Sequence, residues 1–172
     1  TSTGSSISLT SGEAIFGGNL NAATTLDISA MTIVANNASA GTSASIVSDT
    51  LNFASIEAPL ISLNGLLDVT VDSLTGDAID VQGGIISIQN ADATGDLTMA
   101  GDDIFVGTAT ADNIDLVANF LDVQFGTLDA TNDVTISAIN GGIMQLFGPG
   151  DITAGGNIGL DATGAVQTGN LD

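Results

Sequence analysis

The sequence predicts an all-β fold, a parallel β-helix of about nine coils with 17–20 residues in each. Three observations lead there. Small polar turn pairs recur at near-constant spacing: Gly76-Asp77, Gly95-Asp96, Asp112-Asn113, Asn132-Asp133, Gly150-Asp151 and Gly169-Asn170. An apolar–polar–apolar triplet follows most of them, as in Leu97-Thr98-Met99, Ile114-Asp115-Leu116, Val134-Thr135-Ile136 and Ile152-Thr153-Ala154. Helix formers are scarce, with Glu13 and Glu57 the only glutamates and no lysine, while Gly, Ser, Thr, Asn and Asp are abundant. Short strands at even spacing suit stacked coils rather than a sandwich of long hairpins, and alternation sends the outer residues of each triplet inward and the middle one to solvent.

The chain reads as one β-solenoid domain over residues 1–172, less regular over 1–60 and regular over 61–172. Early triplets are Ile7-Ser8-Leu9 and Leu26-Asp27-Ile28, and Gly18-Asn19 repeats the turn signature. Residues 35–45 hold almost no large apolar side chain and are expected to loop out from the stack. Pro59 is expected at a corner before Leu60. Regular triplets then follow at Ile61-Ser62-Leu63, Val69-Thr70-Val71, Ile79-Asp80-Val81 and Ile86-Ser87-Ile88. Asp102-Asp103 reads as a corner between Met99 and Ile104, and Ile104-Phe105-Val106 carries an aromatic at its outward position. In later coils the second strand is expected at Leu121-Asp122-Val123, at residues 143–146 and at Ile158-Gly159-Leu160. The third is expected at residues 109–111, at 128–130 and near Val166. Residues 169–172 begin another coil without a cap, an end expected to be continued by more chain or covered by another subunit.

Composition narrows the function. The 172 residues include 20 acidic ones and no Lys, Arg or His, a net charge of −20. Nothing in the chain can neutralise phosphate, which argues against nucleic acid as a partner. No apolar run approaches the length of a membrane-spanning helix, so no membrane insertion is expected. Without Cys there is no disulfide or thiolate site. Catalysis is not expected either. Asp102 and Asp103 are adjacent carboxylates on opposite faces, and no Arg, Lys, His, Tyr or Cys is present as base, electrophile or nucleophile. Two readings of the charge stand side by side: it keeps an apolar rod soluble, or it attracts divalent cations. The turn pairs sharpen the second, because Asp77, Asp96, Asp133 and Asp151, with Asn113 and Asn170 interspersed, are expected to stack into one column as a Ca²⁺ ladder. The plain alternative is that Asp and Asn occupy turns because they tolerate turn geometry, with no cofactor at all.

The stretch from Gly150 through Ile152-Thr153-Ala154-Gly155-Gly156-Asn157-Ile158 to Asp172 resembles the repeats of filamentous-haemagglutinin-like large exoproteins, and residues 95–99 and 132–136 are similar. The resemblance implies a right-handed parallel β-helix and a secreted bacterial adhesin, extracellular or at the cell surface. On that footing the chain is a non-catalytic structural rod of a fibrous adhesin. A second reading is a self-assembling filament subunit, as in a biofilm matrix, pairing with copies of itself end to end or laterally. A third is a Ca²⁺-dependent binding module. Thr1 follows no Met or leader, as expected for a processed protein or an excised piece.

One outcome needs only the composition. Trypsin should leave this chain uncut even in 8 M urea, since no Lys or Arg is present; fragments on a denaturing gel would contradict the sequence.

Overall fold

The recurring triplets form the rungs of a β-solenoid. The computed structural model describes residues 2–146 and 151–172, and every strand pairing among them is parallel. Fifteen strands belong to one continuous sheet, with no helix among the described residues. Several strands run through gentle corners, as Asn19–Ala40 and Leu60–Gly76 do, so one strand covers all three faces. Parallel partners of this kind must be consecutive coils, because each rung meets its neighbour only after a full circuit of the chain.

Three faces can be followed rung by rung. On the first, Ile7, Leu26, Ala44, Ile61, Ile79, Leu97, Ile114, Val134 and Ile158 stack in register. On the second, Ile33, Leu51, Val69, Ile86, Ile104, Val123 and Ile143 do the same. The third is led by Leu20, Ala38, Ile56, Leu74, Ala91, Ala109, Leu128 and Ile152. Nine rungs on the first face are thus linked by eight turns. Early turns advance by 17 to 19 residues, and that from Asn113 to Asp133 by 20. The last, from Asp133 to Asn157, takes 24.

Inward residues fill the space between faces with aliphatic side chains, and most of them have less than 5% of their surface exposed. Among the described residues two aromatics enter this core, Phe53 and Phe125, both on the second face and both buried. Corners need smaller residues. Between the third and first faces the inward column is Ala22, Ala40, Ala58, Gly76, Ala93, Ala111 and Ala130. At Gly76 in this column an added Cβ would collide with the Ala58 carbonyl. Gly41 and Gly141 carry the tightest approaches: a Cβ at either would collide with the carbonyl of the coil beneath, at Ala23 and Leu121. Ser48 is the one buried polar residue among those described, and its hydroxyl bonds the Met31 and Thr50 carbonyls at 2.9 and 2.8 Å.

Several expectations need correction. Residues 35–45 are not a loop: they continue the strands Asn19–Ala40 and Ser43–Glu57, with Ala35, Ala38, Ala40 and Ala44 buried. Small side chains there line the core. Leu121 is not the start of a second-face strand but an exposed corner residue, and the rung is Val123–Ala130 with Val123 and Phe125 inward. Ile158-Gly159-Leu160 pairs with Val134–Ala138 on the first face, Ile152-Thr153-Ala154 with residues 128–130 on the third, and Val166 with Ile143 on the second. The long last turn displaces all three from a fixed count. Gly150 lies outside the described residues. Pro59 does sit at a corner, where its carbonyl accepts from the amides of Asp77 and Ala78. Asp102 and Asp103 sit at the corner between the strands Asp96–Gly101 and Asp103–Ala111.

Phe125→Ala should lower stability by about 3–5 kcal/mol, the cost of an aromatic-sized cavity, whereas Phe16→Ala, 77% exposed, should change it by no more than about 0.5 kcal/mol. Urea unfolding followed by circular dichroism reads both; equal effects would show that the inward and outward columns are misassigned.

Candidate functional site

Stacking gives every outward residue two close neighbours, one in the coil above and one below, about 4.8 Å away. For a chain with 20 carboxylates and no cation of its own, this is the dominant electrostatic problem. Two unit charges at that distance repel by about 0.9 kcal/mol in water, and more beside an apolar core. Two rungs apart, at about 9.6 Å, the separation approaches the Debye length of salt solutions near 0.1 M, and repulsion is largely screened.

The outward columns keep acids apart. On the third face the column reads Glu57, Thr75, Asp92, Thr110, Asp129, Thr153, a strict alternation of acid and threonine, all exposed. Asp172 continues it, its amide and carbonyl bonded to Ile152 and Ala154 of the coil below. The first face carries Asp27, Ser45, Ser62, Asp80, Thr98, Asp115 and Thr135 at its centre, with two or one neutral rungs between acids. Neutral polar residues also bond up the stack. Asn37 Nδ2 donates to Asn19 Oδ1 at 3.0 Å, Ser55 Oγ to Asn37 Oδ1 at 2.8 Å, and Thr108 Oγ1 to Asn90 Oδ1 at 2.9 Å.

The proposed cation column is divided by the structure. Asp96 and Asp133 do share a column, at the start of the first face, with Asn113 between them. Asn113 Nδ2 donates to Asp96 Oδ1 at 2.7 Å, and the Asp133 amide donates to Asn113 Oδ1 at 3.3 Å. Asn157 then donates to Asp133 Oδ1 through its amide at 2.6 Å and its side chain at 3.2 Å. The next member is therefore Asn157, not Asp151. Asp151 belongs to the third face, where its carbonyl accepts from Leu128. Asp77 lies one residue early, on the corner column between Pro59 and Gly95, and accepts from Thr94 Oγ1 at 2.9 Å. Ala78 occupies the rung below Asp96. An Asp–Asn–Asp–Asn ladder results in which asparagine amides meet the carboxylates directly. Among the described residues no three acidic side chains converge to hold a metal ion.

One pair breaks the rule. Asp103 and Asp122 stack directly, preceding the paired Ile104 and Val123, with the Ile104 amide donating to the Asp122 carbonyl at 3.0 Å. Asp122 Oδ1 accepts from the Gly142 amide at 2.7 Å. Asp103 Oδ1 is buried with no hydrogen-bond partner. Burial raises the Asp103 pKa above the ordinary carboxyl value and the Asp122 charge raises it further, against backbone hydrogen bonds from Asp122 and Ile104. A raised carboxyl beside a second carboxylate is an arrangement general acids use. Here the second carboxylate is already bonded to Gly142, and the chain offers no cationic, imidazole, phenol or thiol partner.

The acid–threonine alternation on the third face escaped sequence reading because its inward residues are often Ala38, Ala91 and Ala109, which blur the apolar–polar–apolar signal. No known protein family matches the chain, and neither a curated protein nor a solved structure does. The architecture by itself places it among β-helix repeat proteins, as a solenoid of parallel strands.

Because the Asp103 pKa is raised on folding, its penalty to the folded state is absent below the ordinary carboxyl pKa and grows as pH rises through the shifted value. Asp103→Asn should therefore raise the melting midpoint at pH 7 and leave it unchanged near pH 3. A midpoint at pH 7 equal to or below that of the unsubstituted chain would show that the stacked pair carries no strain.

Proposed function

We propose that the chain is a non-catalytic structural rod of an extracellular or cell-surface fibrous adhesin, of the kind built from filamentous-haemagglutinin-like repeats. The observation that carries this reading is the long aliphatic core: among the described residues the same inward columns run from Ile7 to Ile152 with Ser48 as the one buried polar residue. A stack of this type resists bending and extension through many parallel backbone hydrogen bonds, and each coil adds a fixed length of about 4.8 Å. The dispersed carboxylates support the same reading. They keep the rod hydrated and discourage neighbours from sticking along its sides, and the exposed, evenly spread acids of the third face suit a hydrated extracellular surface.

A spacer can lose one unit and keep its role. Removing residues 79–96 from the full-length protein joins Ala78 to Leu97 and deletes one coil in register, since Ile79 and Leu97 occupy equivalent rungs. Cells carrying that deletion should adhere nearly as well as the parent, and the purified rod should shorten by about one strand spacing in small-angle scattering. If the isolated segment instead binds the target surface saturably and blocks adhesion, it is a binding module and the spacer reading fails. Concentration-dependent growth of the isolated segment into filaments in sedimentation would favour a self-assembling subunit over a spacer.

A further inference from the structure

The outward surface is polar on most of the rod, but not at the corner between the first and second faces. Among the described residues, eight of the thirteen exposed large apolar side chains lie along that corner, whereas the third face and the opposite corner hold only Leu171 and Leu60. Met31, Val47 and Leu66, from three successive coils, line one depression of about 410 Å³ together with Asp49. Leu67 and Ile85 extend the apolar strip upward, and Phe120, Leu121 and Ile139 continue it two coils further on. Phe120 is 65% exposed and Leu66 71%. Exposed apolar side chains gathered at one corner over successive coils, as Met31, Val47, Leu66, Leu67 and Ile85 are, mark an interaction surface.

Carboxylates are threaded through the same strip. The corner column runs Glu13, Met31, Asp49, Leu67, Gly84, Asp102, Leu121, so acids and bulky apolar residues interleave along the rod axis. Asp103 and Asp122, the stacked pair, border it. We propose that this corner is a docking surface for a separate basic polypeptide, one whose Lys or Arg side chains alternate with bulky apolar ones. Charge complementarity selects that occupant. A second copy of this chain brings 20 further carboxylates and no cation, so a ridge-to-ridge contact sets like charges against each other. Polyanions and anionic membranes are repelled for the same reason. A purely polar polycation would leave Leu66 and Phe120 in water. Only a partner with both groups covers the apolar strip while pairing Asp49, Asp102, Asp103 and Asp122, the apolar contacts supplying affinity and the charges steering and register.

Labelled synthetic peptides test this by fluorescence anisotropy on the folded chain. An amphipathic Lys/Leu peptide should bind saturably and at least tenfold more tightly than a Lys/Ser peptide of equal charge. A Glu/Leu peptide should not bind. The double variant Leu66→Ser/Leu67→Ser and, independently, Phe120→Ser/Leu121→Ser should each weaken Lys/Leu binding tenfold or more. Leu60→Ser, at the opposite corner, should leave it unchanged. All replaced side chains are exposed, and circular dichroism of each variant reports retention of the fold. Equal binding of the Lys/Leu and Lys/Ser peptides, or unaltered binding by both ridge variants, would reduce the effect to general polyanion attraction and overturn the proposal. Self-association of the unsubstituted chain at 1 M salt that both ridge variants abolish would assign the ridge to a second copy and overturn it as well. Because the spacer deletion removes residues 79–96 and keeps Met31, Leu66 and Phe120, failure of the spacer reading and failure of this one are separately visible.

Discussion

In-register parallel stacking is the constraint on which the rest of this molecule depends. Each residue sits about 4.8 Å from its equivalents in the adjoining coils, so position within a coil decides burial, and sequence identity up a column decides electrostatics. Backbone hydrogen bonds fix that geometry regardless of side chain. The side chains must then be compatible with close copies of themselves. Inward, Ile, Leu and Val stack on one another without cost. Outward, carboxylates do not, and the chain has no cation to relieve them.

The distribution of acid follows from this. Glu57, Asp92 and Asp129 are separated by Thr75 and Thr110, Asp96 and Asp133 by Asn113, and Asp77 and Asp112 by Gly95. Threonine and asparagine do more than dilute charge. Asn113 and Asn157 donate directly to the carboxylates below them, replacing a like-charge contact with a charge-assisted hydrogen bond. Among the described residues Asp103 on Asp122 is the lone departure, and it coincides with the corner where apolar side chains are also left exposed. Two local conflicts with the general pattern at one place are what a surface shaped for contact, rather than for solubility alone, would show.

Core and corner obey a second rule. Wide stretches of each face accept Ile, Leu and Val, and Phe53 and Phe125 enter where the second face leaves room. The corner between the third and first faces is lined by Ala and Gly. A uniform cross-section then follows from a uniform pattern of large and small residues, which is what allows coils to be added or removed without disturbing their neighbours. That modularity is the property the proposed spacer role would use.

Much of the fold was legible in the chain. The period near 18, the apolar–polar–apolar triplets and the missing helix formers determine a stack of parallel coils, because backbone pairing in such a stack reads only local alternation. The three-face layout was only partly legible. Ala38, Ala91 and Ala109 are inward as firmly as any leucine, yet alanine gives no periodic contrast, so residues 35–45 read as a loop. Register was decided by the tertiary structure. A 24-residue final turn moves Asp151 to another face, and a one-residue offset moves Asp77 to the corner, so a column counted by a fixed step joined residues that never meet. The acidic charge could be counted from sequence, but its spacing could not. Distances between carboxylates depend on which coil lies above which, and that is set by hydrogen bonds between residues 17 to 24 apart.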